Sequence, residues 1–477
     1  MKREALRAWT GGFGARAWSA YGGAHYALPM PRDARRAIAL GWLVLGLAAL
    51  VVSGVFAILL VLARTPGLSQ LFPVADFFHV ALVVHVDLSV LVWFIAFAGM
   101  LWTLNSSARL VGMAWVALTV AIAGALIIAA APFFGRGAPV MSNYVPVLDA
   151  PLFLAGLAVF GFGFLLLTLR GMLAPLPIGI PLDGAGALRF GLNAAVVSGA
   201  IACLALVWSW IETPPLLIAK PYYEMLFWGS GHVIQFTWTL LMLVAWLWLA
   251  SLAGARLPLS PRLAVLLFAV ALASVFAVPV IYLAWPVAAE EHNRMLTWLM
   301  RFGGGVAILP VGLAVVAGLA RAEPITPEGR PLRAALVASM LLFSIGGAIG
   351  FVINGSDVRI PAHYHGAIVG VTLALMGLAY ALLPQFGFAL PRTRLATWQP
   401  VLYGGGQLLH IVGLVWSGGY GVQRKVAGAS QVLKSSGEVF GMGMMGAGGL
   451  IAIAGGLLFL LIMFQAMRAG SAREASR

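Results

Sequence analysis

Apolar stretches long enough to cross a lipid bilayer follow one another along this chain with only short breaks, and they leave few folds open. Twelve can be counted, at about 37–64, 73–103, 108–133, 148–170, 188–211, 224–253, 262–288, 296–321, 331–353, 361–385, 399–417 and 438–466. As a helix, a run of about 18 residues or more spans a hydrocarbon core roughly 30 Å thick. The breaks carry Pro, Gly and charge, as in Pro258 to Arg262, Glu323 to Arg333 and Pro391 to Arg394, the residue types that end helices. The expected fold is all-α, a polytopic membrane bundle of about twelve transmembrane helices. No internal repeat is evident, so the chain divides into a basic N-terminal arm, residues 1–36, and one twelve-helix membrane domain, residues 37–477.

Charge sets the orientation. Only 9% of residues are Asp, Glu, Lys or Arg, against roughly 25% in soluble domains. The net charge of +14 sits in the breaks, where it reports topology and not a phosphate-binding face; no nucleic-acid partner is expected. The arm and the loops on its side hold 20 basic residues, beginning with Lys2, Arg3 and Arg7, against 8 on the other side, while Arg301 lies within a span. That excess predicts both termini in the cytoplasm, in a protein integral to the cytoplasmic (inner) membrane. The arm has no short apolar core, so no cleavable signal peptide is expected. Cys203 is the one cysteine, which excludes an internal disulfide, a two-cysteine metal centre and covalent haem attachment.

Histidine in a membrane span is costly without a partner, and each one is a functional candidate. Of eight, His25 lies in the arm and His292 in or beside a loop. The remaining six, His79, His85, His232, His363, His365 and His410, fall at similar depth in the outer halves of four helices, as expected of one buried site. His363 and His365 are the most informative pair. Two residues along a helix is about 200° of rotation and 3 Å of rise, so these imidazoles point apart at nearly one depth. They cannot chelate one ion together, but they can serve two haem irons, one on each side of the helix. A six-coordinate iron needs a second axial ligand from another helix, and His85 is the natural choice.

Val84-His85-Val86-Asp87-Leu88, Trp228-Gly-Ser-Gly-His232 and Pro361-Ala-His363-Tyr-His365-Gly resemble the catalytic subunit I of the haem–copper oxidase superfamily, including its nitric oxide reductase relatives. The likeness extends to the twelve-helix plan and covers nearly the whole chain. It implies two haems: a low-spin haem between His85 and His365, and a high-spin haem on His363 at the reaction site. By the same resemblance His232 binds a non-haem metal, iron or copper, facing that haem, and Arg424 and Lys425 meet haem propionates. The implied activity is reduction of O2 or NO in a respiratory chain. Electrons come from a separate donor subunit, a cytochrome c or a cupredoxin.

Two departures bear on substrate. Where the oxidases carry a His-His pair on helix 7, this chain reads Ile281-Tyr282-Leu283-Ala284-Trp285. Glu290, Glu291 and His292 follow, and the two carboxylates could support a non-haem iron if helix 7 extends to them; otherwise they are a solvated loop pair. The tyrosine expected four residues after His232 is replaced by Phe236. Both changes favour nitric oxide reductase over full dioxygen reduction. A non-catalytic dihaem conduit or gas sensor, and a twelve-helix transporter without haem, are the readings from other classes.

Overall fold

The computed structural model describes residues 24–68, 75–134, 137–322, 324–353, 355–426 and 431–475. Residues 1–23 of the basic arm lie outside the described residues. Among those described, the apolar runs form twelve long helices: α1 Ala34–Arg64; α2, assembled from Ala75–Val86, Asp87–Val92 and Trp93–Leu104; α3 Val111–Phe134; α4 Pro151–Leu173; α5 Gly184–Glu212; α6 Ala219–Leu252; α7, Pro261–Ala273 continued by Ala277–Ala284; α8, Glu290–Trp298 continued by Leu299–Gly303 and Gly305–Ala320; α9 Gly329–Phe351; α10 Arg359–Leu382; α11 Thr393–Gly419; and α12 Ser436–Ala475. A short antiparallel hairpin, β1 Ala138–Val140 and β2 Val147–Asp149, caps one end of the bundle between α3 and α4.

Local signals set several of the boundaries. Asp33 caps α1 by accepting from Arg35 N, and Asp183 caps α5 by accepting from Gly186 N; each satisfies an amide the helix leaves open. Pro151 and Pro261 sit in the first turn of α4 and α7, where their missing N–H costs nothing. α7 stops earlier than its apolar run implies. Trp285 is extended ahead of Pro286, as a residue before proline prefers. α8 then begins at Glu290 rather than near 296. Glu290 and Glu291 therefore occupy the first turn of α8, where carboxylates complement the positive end of the helix, and not an extension of α7.

Three helices are interior. Within their most apolar stretches 83% of α6, 78% of α10 and 61% of α2 is buried, against 28% in α1, α8 and α9. The outer helices turn residues such as Leu126, Leu204, Leu266, Val280 and Leu309 outward, as lipid contact requires. Among the described residues, eleven helices are long and apolar enough to cross a membrane. α11 is long enough but more polar, and its Gln399 is buried, donating to Gly455 O and accepting from Tyr380 Oη. α11 lies along α12 through glycines seven residues apart, Gly406 and Gly413 on one side and Gly441, Gly448 and Gly455 on the other. A Cβ at Gly413 or Gly448 would strike the opposite backbone, the close approach that small residues permit between membrane helices.

Candidate functional site

Five of the histidines lie on the three interior helices, His79 and His85 on α2, His232 on α6, and His363 and His365 on α10. His85 is on α2, two residues before a π-helical stretch, Asp87–Val92, a local widening often found at functional positions. Its Nδ1 lies 2.9 Å from Ser53 Oγ and 3.1 Å from Ser53 O of α1. Nδ1 therefore carries the proton toward the carbonyl and Nε2 keeps its lone pair. Both carboxyl oxygens of Asp87 are buried without a hydrogen-bond partner among the described residues.

On α10, His363 and His365 turn to different neighbours. His363 Nδ1 donates to Gly346 O of α9 at 2.7 Å, whereas His365 Nδ1 meets Gln407 Oε1 of α11 at 3.2 Å. The first contact depends on how closely α9 and α10 cross. A Cβ on Gly346 would run into the Gly366–Ala367 backbone, and one on Gly366 into Gly346. His365 also lies beside His410, with ring centroids 4.6 Å apart, and His85 is near enough to interact with it electrostatically. His410 Nδ1 donates to Met445 O of α12 at 2.8 Å. His85, His363 and His365 thus share one arrangement: Nδ1 is held by a neighbouring helix, and Nε2 has no bond among the described residues. Metal-binding imidazoles are oriented in this way, so these side chains fit axial ligation of haem iron.

His232, 2% exposed, sits apart on α6. Its Nδ1 donates to Trp228 O at 2.8 Å, and its Nε2 accepts from Tyr144 Oη at 2.9 Å, with Thr297 Oγ1 at 3.5 Å. Tyr144 comes from the β1–β2 turn, and no spacing in the sequence links it to His232. The glycines of Trp228-Gly-Ser-Gly-His232 acquire a reason here. A Cβ on Gly229 would overlap the Tyr282 hydroxyl, and one on Gly231 would overlap the Tyr144 ring.

The remaining candidates are placed as follows. Glu290 and Glu291 are exposed on α8, and it is His292 beside them that is buried, its Nδ1 on Trp285 O at 3.1 Å and its ring edge-on to Tyr282. Among the described residues no three His, Cys, Asp or Glu side chains form a metal-sized group. His79 Nε2 meets Lys425 O at 3.1 Å. Arg424 donates to Ser356 Oγ, and Lys425 Nζ donates to Met141 O at 2.7 Å. The loop bearing both cations is tied to the start of α10 through Val358 N to Val422 O. A third cation, Arg64, ends α1 close enough to act electrostatically on His365 and His410.

Burial brings the Lys425 ammonium down to about 8, Arg424 adds repulsion, and Glu224 opposes both. A lysine titrating below its unfolded value gives up its proton more readily when folded, so its contribution to stability improves as pH rises from about 8 toward the ordinary value near ~10.4. Melting temperatures of the protein and of Lys425→Met, measured across that range, should diverge with rising pH in favour of the native lysine. Parallel curves would show that Lys425 keeps an ordinary pKa.

The family model described as cytochrome c and quinol oxidase polypeptide I matches residues 37–452. An uncharacterised protein of Rickettsia prowazekii (strain Madrid E) is 28% identical over 498 residues, covering 90% of this chain and 96% of that one. Another uncharacterised protein, from Aquifex aeolicus (strain VF5), is 29% identical over 349 residues, 73% of this chain and 85% of its own. Among solved structures, a haem–copper terminal oxidase dimer superposes with a TM-score of 0.71 at 16% identity, covering 92% of this chain and 84% of its own.

Proposed function

This chain belongs to the cytochrome c and quinol oxidase polypeptide I family, and from that membership we propose that it is the haem-bearing catalytic subunit of a respiratory membrane oxidoreductase that reduces nitric oxide. The observation that carries the reading is the shared set of His85, His363 and His365, each anchored through Nδ1 with Nε2 unengaged. His85 and His365 hold a low-spin haem, and His363 holds a high-spin haem on the other face of α10. Bound haem iron supplies one-electron redox chemistry, with potential tuned by axial ligands and neighbouring charge. Ser53, Gln407 and Gly346 keep the three imidazoles in the ligating tautomer. Arg424, Lys425 and Arg64 supply positive charge at the hairpin end, suited to propionates.

Nitric oxide is favoured because Phe236 is buried where an oxidase tyrosine is expected and α7 ends without a His-His pair. Two molecules of nitric oxide take two electrons and two protons to give nitrous oxide and water. Dioxygen needs four electrons, and the α6 position one turn after His232 holds Phe236, which has no phenol to lend one. Reduction of dioxygen is the second reading, favoured by the superposition on a haem–copper terminal oxidase. Electrons reach the chain from a separate donor subunit, a cytochrome c or a cupredoxin, since Cys203 is the only cysteine.

The test is a pyridine haemochrome spectrum and elemental analysis of the purified protein, with nitric oxide and oxygen consumption measured under one reduced donor. Two haems with nitric oxide turnover well above oxygen turnover are expected. Stoichiometric copper with rapid oxygen turnover would make it an ordinary oxidase, and absence of haem would remove the reading.

The positive-inside asymmetry supports both termini in the cytoplasm of a cytoplasmic membrane, which puts the hairpin, Arg424 and Lys425 outside. A single cysteine introduced at Ser435 should react with an impermeant reagent added to intact cells. Reaction only after the membrane is opened would invert the orientation and require a cytoplasmic electron donor.

A further inference from the structure

We infer that His232 anchors the β1–β2 hairpin and binds no metal, so that the haem irons are the only metals of the reaction site. This rests on the reading of the chain as a haem-bearing subunit. Both nitrogens of His232 are engaged: Nδ1 donates to Trp228 O at 2.8 Å, and Nε2 accepts from Tyr144 Oη at 2.9 Å. Burial pushes the Tyr144 phenol above its ordinary value, so the hydroxyl keeps its proton and donates. An incoming ion would have to break that bond and leave the hydroxyl without a partner, the costly case for a buried polar group. No further ligands offset the loss. Protein sites for transition ions are built from three or four ligands. Thr297 is a neutral hydroxyl at 3.5 Å whose proton goes to Asn293 O. His292 is held at Nδ1 by Trp285 O, and the Glu212 carboxylate accepts from Trp208 Nε1 and Val287 N. Glu290 and Glu291 are exposed in the first turn of α8. The residues around His232 therefore do not fit the non-haem metal that the family resemblance implies.

What the imidazole does hold is the hairpin. Its turn is tied residue by residue: Lys425 Nζ donates to Met141 O and Ser142 O, Asn143 Nδ2 donates to Glu224 Oε2 at 3.0 Å, and Tyr144 reaches His232. Tyr223 Oη adds a bond to Asp149 Oδ1 at 3.0 Å, where β2 ends. α6 thus supplies Tyr223, Glu224 and His232 to one hairpin, and His232 lies farthest along the helix. The Tyr144 ring fills the space left by the missing side chain of Gly231 and stands edge-on to Trp228. His232 is accordingly a positioning residue, and the segment Trp228-Gly-Ser-Gly-His232 is shaped to receive a tyrosine.

The experiment compares haem-loaded wild type, Tyr144→Phe, Gly231→Ala and His232→Ala. Metal-to-haem ratios are measured before and after incubation with ferrous iron or cuprous copper and removal of unbound ion, and amide hydrogen exchange is followed across residues 138–149. Haem iron is expected to account for all the metal in every variant. Tyr144→Phe and His232→Ala should each speed exchange in the hairpin about fivefold, the loss of one ordinary hydrogen bond. The double variant should speed it no further than the larger single effect, because both remove the same bond. Gly231→Ala, whose Cβ overlaps the Tyr144 ring, should loosen the hairpin with both polar groups intact. One non-haem ion for each pair of haems, lost in His232→Ala, would overturn the inference and leave the haem-bearing reading standing. Effects that multiply in the double variant would overturn the anchor. Protein without haem would remove the reading on which the inference rests.

Discussion

His85→Ala and His365→Ala should each abolish the six-coordinate low-spin haem signal while sparing a haem that binds carbon monoxide. Both imidazoles present Nε2 with Nδ1 held by a different helix, α1 through Ser53 and α11 through Gln407. On the proposed ligation, removing either would take one ligand from the low-spin haem. His410 beside His365 is the one imidazole that could substitute. The double variant His365→Ala, His410→Ala therefore distinguishes true loss from rescue. Low-temperature electron paramagnetic resonance reads the result directly, and unchanged bis-histidine spectra in both single variants would dismiss the assignment.

Gly366→Val should have an equally large effect without touching a ligand. The α9–α10 crossing brings Gly366 and Gly346 together backbone to backbone, so the added methyl groups meet atoms that have no rotamer to move into. Overpacking of a well-filled interior typically costs about 1–3 kcal/mol, and a clash with main chain falls at or beyond the upper end. The crossing also sets the Gly346 carbonyl that His363 Nδ1 reaches. The high-spin haem should therefore be lost along with much of the folded protein. Gly347→Val is the control. A Cβ at Gly347, one residue along α9, would meet nothing within 4 Å, so normal yield and spectra are expected. Equal behaviour of the two variants, followed by haem content per protein after membrane extraction, would contradict the packing argument.

The helices were legible in the sequence because lipid demands long apolar runs, and no tertiary contact is needed to read them. The α7–α8 junction was not. Its apolar composition continues to Val287 and Ala288, and only the extended Trp285 ahead of Pro286, with two acids starting the next helix, marks the break. The site was legible where chemistry is written in local spacing. His363 and His365 sit two residues apart on one helix, and that alone dictates opposite faces. Tyr144 was illegible for the converse reason. It reaches His232 from a turn 88 residues away, and a lone loop tyrosine carries no pattern. Nothing local to Arg64 marks it as more than one of the basic residues between apolar runs, and only the fold carries it within electrostatic reach of His365. The glycines before His232 were read as part of a family likeness, and their physical role appears only with the two tyrosines that occupy the space they leave.

The polarity of α11 bears on how the protein is made. Gln399, Gln407 and His410 find their partners on α10 and α12: Gln399 on Tyr380 and Gly455, Gln407 on His365, and His410 on Met445. When α11 emerges from the ribosome α12 has not yet been synthesised, and each unmatched polar group at mid-bilayer weighs against insertion by the translocon. The seam of glycines spaced by seven then lets the later helix close against the earlier one along its length. α11 and α12 are thus expected to commit to the bilayer as one hairpin, so that α11 waits at the translocon until its partner arrives.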